Sequence, residues 1–203
     1  MSNVSDISQL ALAHGQVLST IEAMHIVEWL NRPALDSITK KFRREGVPDF
    51  SASGQSGRQG ADFVYGFQEL MDCVVALKLV ADGLSFRHVS GLMKFDRNKL
   101  HEYYKVAYLQ SESGRGKVLD INSSDGRKIS ISGLYLDFHG SIYKNGAIST
   151  PGPRLLDPWE AMNRYMGFYQ GWHLVGLIRL SQLAIEAVRI AKATPAIKRG
   201  RKS

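Results

Sequence analysis

Asn31-Arg32-Pro33-Ala34-Leu35-Asp36-Ser37-Ile38-Thr39-Lys40-Lys41-Phe42-Arg43-Arg44-Glu45-Gly46 is the stretch on which the fold turns. Asn caps a helix by accepting an orphan amide of the first turn, and Pro is tolerated only in that turn, so a helix restarts here. Gly46 stops it. Leu35, Ile38 and Phe42 recur at spacings of three and four and form one apolar stripe that demands burial. Ser37, Lys40, Lys41 and Arg44 fall on the opposite face, with Thr39 and Arg43 beside them. Hydroxyl, ammonium and guanidinium donors along one edge are the chemistry that meets phosphates and base edges in a DNA major groove. A merely solvated cationic helix face is the bland alternative.

Upstream, Ser19-Thr20-Ile21-Glu22 has the form of a capping box and predicts a first helix from Ser19 to about Leu30. Downstream, Pro48 to Tyr65 has no helical period and carries Gly54, Gly57 and Gly60 among Ser, Gln and Arg, which suits a hairpin or wing with Arg58 and Gln59 near its tip. Phe67, Leu70, Met71, Val74, Leu77 and Leu84 then give a third helix. Gly83 stops it, and Ser85 caps a fourth helix with Phe86, Val89 and Met93. Helix, basic helix, Gly-rich hairpin and two more helices is the order of a winged helix-turn-helix.

Residues 19 to 93 resemble the MerR-type winged-helix domain. Tyr65 is similar to that family's aromatic at the end of the wing, and Gly83-Leu84-Ser85 to its turn before the fourth helix. Tyr65-Gly66-Phe67-Gln68-Glu69-Leu70 resembles the opening of the third helix in MerR-like domains of antitoxin-type proteins. Phe42 and Gly46-Val47 match family positions, while Lys40 stands where the family places Arg, and Phe63 where it places another Arg, for which Arg58 is the substitute. The resemblance implies double-stranded DNA binding and pairing of two copies through C-terminal helices.

The chain has 203 residues, enough for one or two domains with a substantial core, and a net charge of +7. The excess is local. Residues 32–60 carry six basic residues against three acidic, and residues 161–203 carry eight against Glu186 alone. Two cationic patches fit a polyanionic partner bound with salt-sensitive affinity. The lone Cys73 sits in an apolar helix and reads as a small buried hydrophobe in a reducing cytoplasm. No secretory signal is expected at the start, and the longest apolar run, Met166 to Ile178, is interrupted by Gln170 and His173 and too short to span a bilayer. A cytoplasmic, nucleoid-associated protein with no membrane contact is the expectation.

From His101 to Thr150 the pattern turns to period two, with turn signals at Gly114-Arg115-Gly116, Asp125-Gly126 and Asn145-Gly146. Strands are expected at Tyr104–Leu109, Val118–Asn122, Lys128–Ser132, Leu134–His139 and around Ile142-Tyr143. Asp157-Pro158-Trp159-Glu160 then starts a helix that should reach Ala193. Met162, Met166, Tyr169, His173, Gly176, Leu180, Leu183, Ala187 and Ile190 alternate at four and three along it, the seam of a coiled coil. Met162, Met166, Tyr169, His173, Leu180, Leu183 and Ile190 are the expected dimer contacts. Lys198, Arg199, Arg201 and Lys202 form a short basic tail able to lie along phosphates.

The six His residues show no zinc spacing, and neither a nucleophile elbow nor a phosphate-binding loop is present, so no metal, cofactor or enzyme activity is expected. Asp137 and His139 share a strand face and read as two polar residues on the wet side of a sheet. The sequence therefore predicts an α+β protein: an N-terminal tail (1–17), a winged helix-turn-helix domain (18–100), a small antiparallel β insert (101–155), a long dimerisation helix (156–194) and a basic tail (195–203). Its expected function is sequence-specific transcriptional regulation as a homodimer. The alternatives are an antitoxin-like or mobile-element DNA-binding factor with a protein partner, an interaction module with a basic docking helix, and, last, an enzyme built on the insert.

Overall fold

A computed structural model of the chain describes residues 7–50, 63–112, 118–122, 128–142, 148–149, 152–166 and 173–195. The architecture is α+β, seven helices with small antiparallel sheets among the described residues. Two compact units divide it, Met1–Ala81 with Glu186–Ser203, and Asp82–Ile185. No described helix is long and apolar enough to cross a membrane.

In the first unit, strand β1 (Leu12–Ala13) pairs antiparallel with β2 (Val64–Tyr65), Leu12 opposite Tyr65. Helix α1 spans His14–Ala23, five residues earlier than the sequence predicts at its start and seven earlier at its end. The true cap is Gln16, whose Oε1 accepts the Ala13 amide at 3.0 Å and whose Nε2 donates to the Thr194 carbonyl at 3.2 Å. Ser19 lies mid-helix, where no orphan amide needs its hydroxyl; it and Glu22 instead accept hydrogen bonds from Arg32. Residues 24–29 are turns, with His25 at φ 54°. Helix α2 is Arg32–Arg44, and α3 is Phe67–Ala81, in which every position from Leu70 to Leu77 is buried. The Glu69 carboxylate accepts the Gly66 amide at 2.9 Å and closes the start of α3. The core gathers Val17, Leu18, Ile21, Leu35, Phe42 and Tyr65 with this helix. Full burial of one such side chain contributes about 1.5–3 kcal/mol.

In the second unit, Gly83 at φ 96° and the Ser85 cap precede α4 (Phe86–Phe95), and α5 is Arg97–Glu112. The strand expected at Tyr104–Leu109 is therefore helical. Leu100, Tyr104, Ala107 and Tyr108 are its buried face, at spacings of three and four, and this periodicity outweighs the β preference of Tyr and Val. Strands β3 (Val118–Asn122) and β4 (Lys128–Ser132) pair over their full length, Val118 opposite Ser132, at the bounds the sequence predicts. Strand β5 (Tyr135–Ile142) is the hub, paired antiparallel with β6 (Ile148–Ser149), β7 (Arg154–Leu156) and β8 (His173–Ile178).

β8 corrects the largest expectation: the long C-terminal helix is broken. Helix α6 is Pro158–Met166, opened by the reciprocal box in which Asp157 and Glu160 each accept the other's amide at 2.9 Å, as the residues predict. After β8, helix α7 runs Leu180–Ala193. Leu174-Val175-Gly176-Leu177-Ile178 has no polar residue at any position, a run that suits a strand as well as a helix. Its pairing with β5, with a register shift at Phe138/His139, outweighs helix propensity already weakened by Gly176. Among the described residues the seam positions are therefore divided between two helices and a strand. Met162, half-buried, and Met166 lie on α6, His173 and Gly176 lie on β8, Tyr169 lies outside the described residues, and Leu180, Leu183, Ala187 and Ile190 lie on α7. Leu180 is buried completely within the chain itself.

Ser181 links α7 to α5 and to the connection between β4 and β5. Its Oγ accepts the Leu134 amide at 2.8 Å and donates to the Ala107 carbonyl at 3.3 Å. Gly133, at φ 98°, lies so near that a Cβ there would meet Ser181 Cβ at 2.9 Å. Ser181→Ala leaves one buried donor–acceptor pair broken on each side, and chemical denaturation should read a loss of about 1–3 kcal/mol; an unchanged midpoint would show that the hydroxyl carries no structural duty.

Candidate nucleic-acid interface

Helix α2 forms as the local sequence dictates. Asn31 Oδ1 accepts the Ala34 amide at 3.0 Å, and Pro33 occupies the first turn. At the other end Gly46 takes φ 77°, and the Gly46 and Val47 amides turn back to the carbonyls of Arg43 (3.0 Å) and Phe42 (2.9 Å). Arg32 fastens α2 to α1 through the Gly15 carbonyl (2.8 Å), Ser19 Oγ (3.2 Å) and the Glu22 carboxylate.

The buried stripe of α2 is Leu35, Thr39 and Phe42. Ile38 is only half-buried, and Thr39 takes the place expected for it, with its hydroxyl donating to the Leu35 carbonyl at 2.8 Å. Thr39 is thereby removed from the candidate DNA contacts. A hydroxyl tied to the preceding turn can be buried at little cost, which hides Thr from a reading based on apolar period alone. Ser37, Lys40, Lys41 and Arg44 are all exposed and share the opposite face. Lys41, Arg43 and Arg44 stand in the last turn, where cations also complement the helix dipole.

Arg43 is not a free donor on that face. Its guanidinium lies over the Phe63 ring at 4.3 Å, and its Nη1 is 3.4 Å from the Tyr65 hydroxyl. Phe50 meets Phe63 at 4.7 Å and Tyr65 edge-on at 5.0 Å between ring centres. Such pairs contribute about 0.5–1.5 kcal/mol each beyond area burial. Phe50 and Phe63, the described residues on either side of positions 51–62, meet in one aromatic cluster beside the end of α2. Arg58 and Gln59 lie on that segment, outside the described residues, as do Lys198, Arg199, Arg201 and Lys202.

Behind the exposed face lies a polar chain that the sequence does not announce. His14 Nε2 is 2.7 Å from Asp36 Oδ1 and His14 Nδ1 is 2.8 Å from the Tyr65 hydroxyl. Lys40 Nζ donates to Asp36 Oδ2 at 2.6 Å. Burial pushes the His14 imidazole below its ordinary range; the hydrogen bond with Asp36 opposes this, and the Arg43 and Lys40 charges add to it. For Asp36, burial raises the carboxyl, but hydrogen bonds from Lys40 and His14 outweigh it and hold the group below the usual range. Burial raises the Tyr65 phenol and the Cys73 thiol, so both are neutral near pH 7. Buried Cys73 thus stands as the sequence has it, a small hydrophobe.

Among the described residues no group of three or more His, Cys, Asp or Glu side chains is arranged to hold a metal ion. Asp137, expected on a wet sheet face, is fully buried within β5. The chain matches no family model, no curated protein and no solved structure.

Proposed function

We propose that this chain is a sequence-specific double-stranded DNA-binding protein of the winged helix-turn-helix kind, similar to MerR-type regulators, that reads duplex DNA with the exposed face of α2 and acts in transcriptional control. The observation that carries the reading is the division of α2: Leu35, Thr39 and Phe42 buried, and Ser37, Lys40, Lys41 and Arg44 exposed together. Three cations and a hydroxyl on about two turns of a helix capped at both ends suit the width of a major groove. The contact of Phe50 with Phe63 beside the same helix supports a wing, expected between them, that touches the backbone next to the groove. A dimer helix forms no part of the proposal.

Selection from a pool of randomised duplexes tests it. The protein should enrich one sequence, and its affinity should fall steeply with salt as condensed counterions are released. Failure to enrich any duplex above random competitor would remove the proposal. Arg58→Ala should lower affinity almost equally for selected and random duplex, because backbone contacts position a protein without reading sequence. A loss of preference at one base pair would instead make Arg58 a reader.

A further inference from the structure

The polar chain behind α2 has one consistent order of protons. Asp36, ionised, only accepts, so His14 carries its proton on Nε2 and leaves Nδ1 bare. Nδ1 then accepts from the Tyr65 hydroxyl, whose oxygen accepts in turn from Arg43. Donation runs Arg43 to Tyr65 to His14 to Asp36, with Lys40 donating to the other carboxylate oxygen. Three elements are joined this way: the start of α1, the middle and end of α2, and β2, which follows the segment 51–62.

A second proton on the imidazole reverses one link. Nδ1–H must donate to Tyr65, the phenol must turn its own hydrogen elsewhere, and Arg43 competes for the crowded oxygen from 3.4 Å, the longest contact of the chain. The charged groups facing His14 are Asp36, Lys40 and Arg43 from α2. Tyr65 faces it from β2, with neutral Cys73 of α3 behind the phenol. Two of these are cations, so a cationic imidazole adds to a positive cluster.

We propose that His14 and Tyr65 are positioning residues for the reading helix, and that one proton on His14 releases Arg43 from β2 and so lowers the discrimination between duplex sequences. The inference rests on the DNA-reading role of α2, and it makes that role sensitive to mild acid. The sign follows from linkage. The folded imidazole titrates below 6.5, its ordinary value, so the folded state binds fewer protons than the unfolded chain. The contribution of the neutral chain is therefore complete above that value and is lost as the pH falls through the folded pKa.

The test has two arms. Nitrogen-detected NMR of the free protein should find His14 as the neutral Nε2–H form near neutral pH, titrating below 6.5. In the second arm, the ratio of affinities for the selected and a random duplex is measured at about pH 7.5 and at the lower pH at which the NMR arm finds the His14 imidazole protonated. It should fall about fivefold in the wild type, the factor that one lost hydrogen bond gives. Tyr65→Phe, which keeps the ring in the core, should start at the lower ratio and stay there. His14→Gln, which cannot ionise, should give a ratio independent of pH and guards against a folding defect in the first variant. An Nδ1–H tautomer or a charged imidazole near neutral pH would overturn the proposal, as would an undiminished pH dependence in His14→Gln. If no duplex is ever preferred, the DNA reading falls by itself, and the NMR arm alone decides the proton order.

Discussion

Leu180→Asp is expected to unfold the second unit and not to split an oligomer. Leu180 is completely buried inside its own chain at the start of α7, one residue before Ser181 makes its two hydrogen bonds. Aspartate there loses the transfer free energy of the leucine side chain, leaves space around a smaller group, and buries a carboxylate with no partner provided. Large-to-small changes at such sites cost about 2–5 kcal/mol before the polar group is counted, a large fraction of the stability of a domain this size. A thermal melt of the single variant should show the cooperative transition shifted far down or absent. A native-like melt accompanied by a halved mass in light scattering would show that the residue lies between two copies after all.

The second large effect concerns the exposed cations. Lys41→Glu with Arg44→Glu should weaken binding to any duplex on the order of a hundredfold at low salt, since each change removes one phosphate partner and adds a repulsion. Stability should change little by comparison. Both residues are exposed in the last turn of α2, where the lost dipole interaction costs about 0.3–1 kcal/mol per charge. Unaltered affinity in this double variant would take α2 out of the interface.

Where the chain supplies a complete local signal, the element was legible. Asn31 and Pro33 with Gly46 bound α2, Gly83 and Ser85 separate α3 from α4, and Asp157 with Glu160 opens α6, each through contacts within a few residues. The pairing of β3 with β4 was readable from the alternation of their residues and the Asp125-Gly126 signal between them. Where the deciding partner is distant, the sequence misled. Ser19 and Glu22 have the composition of a capping box, but Arg32 takes both, and Gln16 caps the helix instead. β8 is a strand because β5, 33 to 42 residues earlier, offers it a neighbour; the four-three spacing that suggested a coiled coil joins positions of two separate helices, α6 and α7, across that strand.

The candidate site divides in the same way. The exposed cationic face of α2 follows from helical period and was readable. The removal of Thr39 was not, because its burial depends on a bond to its own backbone. Arg43 was expected among the DNA contacts and is held by Phe63 and Tyr65. His14, Asp36 and Tyr65 carry no joint signal, lying 22 and 51 residues apart from His14 along the chain. The pairing of β1 with β2 brings Tyr65 to His14, and the seating of α2 on α1, fastened by Arg32, brings Asp36.

The most direct measurement of the central claim is an NMR titration of the isotope-labelled protein with the duplex recovered by selection. The backbone amides and side chains of Ser37, Lys40, Lys41 and Arg44 should show the largest shifts, saturating at stoichiometric duplex and vanishing at high salt, while the buried face at Leu35, Thr39 and Phe42 responds weakly. Shifts concentrated elsewhere, with α2 silent at saturation, would contradict the account.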